Sequence, residues 1–330
     1  MKQFINLADF TPDAVEVLVK RAQELREHGP TDAAKGMLLG LLFMNPSLRT
    51  RTSMVGAWAY LGGQSVSLSQ TEGTYELATG DGPMLGSAAE HIEEAAGVLG
   101  RLCDVLGVRA FASGTVWAED RKDSVIQTFA RLSRAPFVNL ESGMYHPCQA
   151  LADRLTLEDK QINKRSSFVL SWAYHPKALP QAVANSALLM ATQRGMNVTV
   201  LRPEGYTLDA DVMAKAHEFS KVTGGSLKET DDVGVLRTTD VVYVKSWCSL
   251  PFYSDREGER KLREKYKHWC VGNESLPVGE RTKFMHCLPI RRDVKATKAL
   301  ITGKNSLILD QAENRKWAQV AVLDSLLKSM

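Results

Sequence analysis

The sequence predicts an α/β protein built as two doubly wound domains with mainly parallel sheets, linked by helices. Three observations carry this reading. Short apolar runs of strand length alternate with longer, helix-like segments from one end to the other. A length of 330 residues fits two domains of ordinary size. No low-complexity tether separates the halves, which implies that a helix joins them.

The elements follow in order. Thr11-Pro12-Asp13 caps a first helix with Pro at its first position, and Val15, Leu18, Ala22 and Leu25 share one face of it. The apolar run 37–44 reads as a buried parallel strand; a helix near 47–61 follows and Gly62-Gly63 ends it. Residues 66–68 form a short strand. Residues 71–88 are rich in Gly, Thr and Ser without a clear period and read as a long loop, a kind of segment that usually carries function or moves. Helix 90–102, strand 104–111, helix 123–132, strand 136–140 and a helix from about His146 complete the first half. In the second, strand 167–173 precedes helix 181–194 and strand 197–201 precedes helix 210–223. Strands 240–244, 283–287 and 306–309 continue the alternation, and a last helix spans 312–327. In such sheets ligands sit beyond the carboxyl ends of the strands.

Composition narrows the function classes. The net charge of +3 comes from mixed charges without the basic stripe of a nucleic-acid binder. The one basic cluster, 256–267, is interrupted by Glu257, Glu259 and Glu264 and reads as a solvated helix face. No apolar run reaches bilayer length and Met1-Lys2-Gln3-Phe4 lacks a signal-peptide pattern, so a cytoplasmic protein with no membrane partner is expected. Cys103, Cys148, Cys248, Cys270 and Cys287 are scattered, odd in number and without CxxC spacing, which argues against a disulfide framework or a structural zinc site.

The most informative stretch runs from Phe43 to Ser53 and contains Asn45-Pro46-Ser47-Leu48-Arg49-Thr50-Arg51. At a strand-to-helix junction the first N–H groups point outward and the helix dipole favours an anion. Ser47, Arg49 and Thr50 add donors, and an arginine fork matches phosphate oxygens well. The stretch lacks the Gly-rich spacing and Gly-Lys-Ser/Thr ending of a Walker loop, and taken alone it also reads as a helix cap with solvated charges. Arg109, near the end of strand 104–111, is either a ligand group or a rim charge. His146 and Gln149 lie on a first helical turn and both reach the helix start. For His146, Cys148, His286 and Cys287, core histidines, a Cys–His nucleophile and a zinc site are competing readings.

In series these motifs resemble one family. Pro-Ser-Leu-Arg-Thr-Arg at 46–51, Gly-Val-Arg at 107–109, His-Pro-Cys-Gln at 146–149 and His-Cys-Leu-Pro at 286–289 occur in order at strand ends, and Glu313-Asn314-Arg315 stands near the C-terminus. This resembles the aspartate/ornithine carbamoyltransferases over nearly the whole chain. Residues 172–180, Trp-Ala-Tyr-His-Pro-Lys-Ala-Leu-Pro, and Val244-Lys245-Ser246-Trp247 look like its N-acylornithine branch, the N-acetylornithine and N-succinylornithine carbamoyltransferases.

The resemblance implies transfer of a carbamoyl group from carbamoyl phosphate to the δ-amine of an N-acylornithine in arginine biosynthesis, without metal or organic cofactor. It implies a carbamoyl-phosphate-binding domain at 1–146, onto which 311–330 packs back, and an acylornithine-binding domain at 147–310. It also implies a knot threaded through 175–185 and a homotrimer whose Tyr75 loop enters a neighbouring site. Carbamoyl phosphate would be held by Ser47, the Leu48 backbone, Arg49, Thr50, Tyr75, Arg109, His146, Pro147, Cys148, Gln149, Cys287, Leu288 and Arg315. Of these, Arg49, Thr50, Arg109, His146, Gln149, Cys287 and Arg315 would act in catalysis, Cys287 through its backbone carbonyl. Glu141, His175, Lys245, Leu288, Arg291, Ala89 and Lys295 would face the acylornithine, with Lys245 on its α-carboxylate. Fixed cations and N–H donors would stabilise charge growing on the carbamoyl oxygen and on departing phosphate. The attacking amine, protonated in free solution at neutral pH, would arrive uncharged, and departing phosphate would take its proton.

Two departures from the family matter. Tyr75 stands where relatives carry Trp, so the flat face remains and the indole N–H is lost. Ala89 stands where acetylornithine enzymes have Glu and succinylornithine enzymes Pro; it leaves room for a succinyl carboxylate, with Arg291 as partner. Lys295 resembles a lysine of the acetyl enzymes that can carry a carboxyl group. The balance favours succinylornithine; an ordinary ornithine carbamoyltransferase and a non-catalytic carbamoyl-phosphate binder are the rival readings.

Overall fold

The computed structural model of the protein describes residues 1–69, 75–80 and 82–330. Its strands are β1 (Gln3–Phe4), β2 (Leu38–Phe43), β3 (Gln64–Ser69), β4 (Leu77–Ala78), β5 (Glu90–His91), β6 (Val105–Arg109), β7 (Phe137–Glu141), β8 (Ser167–Trp172), β9 (Asn197–Leu201), β10 (Ser226–Thr230), β11 (Val241–Lys245) and β12 (Lys283–Met285). They form two five-stranded sheets, ordered β1-β7-β6-β2-β3 and β10-β9-β8-β11-β12, and a small β4-β5 pair. Every pairing is parallel. The predicted α/β class with mainly parallel sheets is therefore the observed one.

The strand order places two crevices. In the first sheet the chain runs outward from β2 to β3, then returns to β6 on the other side of β2. In the second it runs from β8 through β9 to β10, then returns to β11 on the other side of β8. Each reversal opens a gap at the carboxyl ends of the two central strands, where loops diverge. Residues 44–47 leave β2 and residues 110–112 leave β6; residues 173–175 leave β8 and Ser246 leaves β11.

Burial explains why the strands read so clearly. Along β2 only Leu38 is partly exposed, because helices cover both faces of the sheet. The larger core runs through both sheets, from Phe4 and Trp58 to Trp172, Tyr243 and Leu326, and a smaller one around Leu42, Ile92, Phe129 and Phe137 fills the other face of the first sheet. Thr11 Oγ1 accepts the Ala14 N–H at 3.2 Å to cap the helix Pro12–His28. The helix Leu48–Tyr60 ends as predicted: Gly62 has φ +86°, and a Cβ on Gly63 would stand 2.2 Å from the Trp58 indole. The helix Ile308–Leu327 packs against Pro12–His28, Leu48–Tyr60 and Pro147–Asp159, and the last of these packs on Ala182–Arg194. Arg26 and Asn314 both bond Asp159, tying three of these helices together.

Some expectations are corrected. Residues 306–309 are not a strand: Ser306 makes one isolated bridge to Phe284, and the helix begins at Ile308. An apolar run this short has no period to distinguish strand from helix start. The helix predicted from residue 90 starts at Ile92, because Glu90 and His91 pair with β4. The predicted loop 71–88 lies partly outside the described residues and holds β4 near its middle. The basic segment is the helix Arg256–Lys265, yet Glu259 and Arg263 are buried as an ion pair rather than solvated. The edge strands β1 and β10 escaped prediction, one being two residues long and the other largely polar. No helix among the described residues is long and apolar enough to cross a membrane.

Trp172 ends β8 fully buried among Tyr206, Tyr266 and Trp269, and its indole N–H donates to the Trp247 carbonyl at 3.0 Å. Trp172→Ala is expected to cost about 3–5 kcal/mol, read as a shifted urea midpoint with an unchanged m-value.

Candidate active site

The two crevices face each other across a cavity of about 540 Å³ lined from both sheets. One wall is the start of the helix Leu48–Tyr60. Ser47 caps it, its Oγ accepting the Thr50 N–H at 3.2 Å. Leu48, the first residue of the helix, is 77% exposed and also lines the cavity. Arg49 lines the cavity, whereas Arg51 turns to the Ser67 carbonyl and the Phe43 ring.

Arg109, at the end of β6, is buried and donates to Glu141 at the end of β7, with its guanidinium 4.4 Å from the centre of the Phe111 ring. His146 caps the helix Pro147–Asp159; its Nε2 lies 3.3 Å from Glu141, and its backbone N–H donates to Ser186 Oγ at 2.8 Å. Burial first, then Arg315 and Arg109, push the His146 imidazole well below its ordinary pKa, so the ring is neutral. Arg315 enters from the last helix. It donates to Thr50 Oγ1 at 3.0 Å and to Gln149 Oε1 at 2.9 Å, and its Nη1 stands 3.4 Å from His146 Nε2.

The opposite wall belongs to the second sheet. Lys245 ends β11, with its ammonium 3.5 Å from the Cys287 sulfur. His175 Nε2 accepts from Arg291 Nε at 3.1 Å; burial, together with Lys295, Arg291 and Lys245, holds its pKa down at about 4 against a backbone contact to Lys177. Leu288 has φ +54° and precedes a cis bond to Pro289. Lys295 is 2% exposed. Burial first, then Lys245, bring its pKa down to about 7, so near neutrality part of it is a free amine.

The lining thus holds five permanent or partial cations, Arg49, Arg109, Lys245, Lys295 and Arg315, against one carboxylate, Glu141. Such a cleft is suited to a ligand with several negative charges, with a helix N-terminus for a phosphate at one end. Among the described residues no group of three or more His, Cys, Asp or Glu is arranged to hold a metal. Cys148 is fully buried in the core and burial raises its thiol to about 11, which removes the activated-thiolate reading for it.

Not every predicted residue lines the cavity. Gln149 acts at one remove, through Arg315, and Pro147 and Cys148 shape the helix start. Arg291 is exposed and touches His175. Tyr75 is 51% exposed and donates to Glu90 at 2.6 Å, and Ala89 donates its N–H to the Glu76 carbonyl; both sit at the β4-β5 pair, outside the cavity lining. Conversely, Phe111, Leu179, Pro180, Val183 and Pro289 line the cavity without having been predicted. Phe111, two residues beyond Arg109 at a strand end, carried a readable signal; the apolar wall of Leu179, Pro180 and Val183 looks like ordinary core.

Two opposed switch-point crevices meet at a cation-lined cleft, the arrangement of an α/β enzyme with a site for a small anionic ligand. Residues 2–159 match the aspartate/ornithine carbamoyltransferase carbamoyl-P binding domain, and residues 180–326 match the aspartate/ornithine carbamoyltransferase Asp/Orn binding domain. An N-acetylornithine carbamoyltransferase of Xanthomonas axonopodis pv. citri (strain 306) is 39% identical over 99% of this chain and 96% of its own. An N-succinylornithine carbamoyltransferase of Bacteroides fragilis (strain 638R) is 32% identical over 91% of this chain and 90% of its own. The crystal structure of acetylornithine transcarbamylase complexed with acetylcitrulline matches with a TM-score of 0.94 at 39% identity, over 99% of both chains. A glutamate-to-alanine variant of N-acetyl-L-ornithine transcarbamylase, complexed with carbamyl phosphate and N-succinyl-L-norvaline, matches with a TM-score of 0.94 at 39% identity, over 99% of this chain and 100% of the other. The chain belongs to the aspartate/ornithine carbamoyltransferase family and, within it, to the N-acylornithine branch.

Lys295 gives a pH test. Its folded pKa, about 7, lies below the ordinary 10.5, so below pH 7 the fold bears the cost of a buried charge that the unfolded chain does not. Between pH 7 and 10.5 that cost fades as the unfolded chain alone keeps the proton. In bicarbonate-free buffer Lys295→Met is expected to be more stable than the wild type at pH 6, and the gain should shrink steadily by pH 10. Denaturant midpoints across this range measure it.

Proposed function

We propose that the protein transfers the carbamoyl group of carbamoyl phosphate to the δ-amine of an N2-acyl-L-ornithine, releasing phosphate and an N-acylcitrulline for arginine biosynthesis. The observation that carries this reading is the polarity of the cleft: a capped helix start with Arg49, Arg109 and Arg315 on one wall, and Lys245 and Lys295 on the other. The first wall suits the phosphate and carbamoyl oxygen, and the second suits the carboxylates of an acylated amino acid. Residues 1–146 would form the first domain and 147–310 the second.

In the reaction, the amine attacks the carbonyl carbon while the C–O bond to phosphate breaks. Arg109, Arg315 and the helix N–H groups stabilise the charge that builds on both oxygens, each donor worth about 3 kcal/mol. The buried His146 is uncharged, so it donates or accepts a hydrogen bond without adding to the cationic field. Surrounding cations favour the free amine form of the incoming nucleophile. The departing phosphate takes its proton.

The position of Tyr75 and Ala89 outside the cavity lining of their own chain supports a trimer in which this segment completes a neighbour's site. Ala89 then favours N-succinylornithine, because no carboxylate repels the succinyl tail. The replaced glutamate of the relative complexed with N-succinyl-L-norvaline is taken as its counterpart. The partly neutral Lys295 amine has the form needed to take up carbon dioxide and carry a carboxyl group.

Two measurements test this reading. Arg49→Ala is expected to weaken carbamoyl phosphate binding at least about 100-fold in calorimetry, since a charge-assisted bidentate contact is lost; unchanged binding would remove the main assignment. The kcat/KM for N-succinylornithine should exceed those for N-acetylornithine and for free ornithine. Equal or better turnover of the acetyl compound refutes the acyl preference, turnover of free ornithine alone refutes the branch-specific substrate, and no turnover at all points to a non-catalytic binder.

A further inference from the structure

Behind the cavity lies a carboxylate that the reaction itself does not use. Asp153, on the helix Pro147–Asp159, has no exposed surface. Its Oδ1 accepts from Gln149 Nε2 at 2.7 Å and from Gln311 Nε2 at 2.7 Å. Its Oδ2 makes no bond to an amide, and the buried Tyr243 hydroxyl is the further polar neighbour of the carboxylate.

An amide side chain has a donor end and an acceptor end, and the two are nearly the same shape. What fixes their direction is the partner at either end. Gln149 lies between Asp153, which accepts, and Arg315, which only donates. Its NH2 must face Asp153 and its carbonyl oxygen must face Arg315. Gln311 is fixed in the same way: its NH2 faces Asp153, and its Oε1 accepts the backbone N–H of His286 at 2.9 Å. That bond anchors the His286-Cys287-Leu288 loop. Within the loop, His286 Nδ1 accepts the Leu288 N–H at 2.8 Å. Burial raises the Asp153 carboxyl to about 6, against the hydrogen bonds from Gln311, Gln149 and Tyr243 that lower it, so above that pH it is chiefly an acceptor.

We infer that Asp153 is a positioning residue for two sides of the carbamoyl pocket: through Gln149 it holds the Arg315 guanidinium, and through Gln311 it holds the His286-Cys287-Leu288 loop, whose backbone carbonyls would accept from the ligand's NH2 group. Carbamoyl phosphate differs from acetyl phosphate and inorganic phosphate in having that NH2 group, so an acceptor-lined pocket selects it. Reversal of Gln149 would set its NH2 against the Arg315 guanidinium. This inference rests on the carbamoyl-phosphate reading above and adds which buried group enforces the selection.

Asp153→Asn is close in volume but offers both a donor and an acceptor, so it no longer dictates the direction of either amide. With enzyme that turns over normally as wild type, KM for carbamoyl phosphate should rise about 10- to 100-fold in Asp153→Asn, the loss of a charged hydrogen bond. The inhibition constant of inorganic phosphate, which lacks the NH2 group and keeps the Ser47–Thr50 helix start, should rise several-fold less than this KM. If Asp153→Asn does not fold, Gln311→Leu removes the second arm alone and should move the same ratio in the same direction. An unchanged KM, or a KM and phosphate inhibition that weaken in step, overturns the inference. Failure of the wild type to turn over would instead refute the functional reading.

Discussion

One buried guanidinium organises this molecule. Arg315 is 2% exposed, yet its donors reach Thr50 at the start of one helix and Gln149 on another, and lie close to His146. These groups come from segments more than 160 residues away in sequence. Burying an arginine costs several kcal/mol unless its donors are met, so the three elements are held in register by the cost of separating them. The same register puts the helix start, the His-Pro-Cys-Gln turn and the last helix around one cleft. Architecture and chemistry therefore share one interaction.

The electrostatics follow from that arrangement. A cleft lined by Arg49, Arg109, Lys245, Lys295 and Arg315 with one carboxylate repels any further positive charge. The three nearby histidines respond as expected: burial and the surrounding cations keep His146, His175 and His286 unprotonated. Lys295, too deep to be solvated, gives up part of its charge near neutrality. A dianionic ligand would relieve this field. Glu141 in the lining pairs with Arg109, and behind it the Asp153 carboxylate holds the amides of Gln149 and Gln311.

Much of this was legible in the sequence, and the reasons are physical. Buried parallel strands are apolar throughout, so β2, β6, β8 and β9 stood out, and the Thr11 and Ser47 caps marked their helices. Ser47, Arg49 and Thr50 were readable as an anion site at a helix start, whereas Arg109 and His146 gained a role only in series with the other motifs and Lys245 only through the family resemblance; all six line the cavity. What stayed hidden has equally definite causes. Residues 306–309 carried too short an apolar run to separate strand from helix start. Glu259 and Arg263 read as surface charges because burial of an ion pair leaves no mark in local composition. Asp153 lies one helical turn beyond Gln149 and Gln311 two residues before Glu313-Asn314-Arg315, but only the packing of the two helices brings Gln311 to Asp153 and His286.

The central claim is that the directed donors of Arg315, and not its charge alone, assemble the site. Arg315→Lys keeps the charge and removes the fork that reaches Thr50 and Gln149 together. Calorimetric titration of carbamoyl phosphate into the folded Arg315→Lys protein tests this most directly. The account predicts a loss of affinity of about 100-fold or more, as expected when a charge-assisted network loses its geometry. Affinity equal to that of the wild type would contradict it.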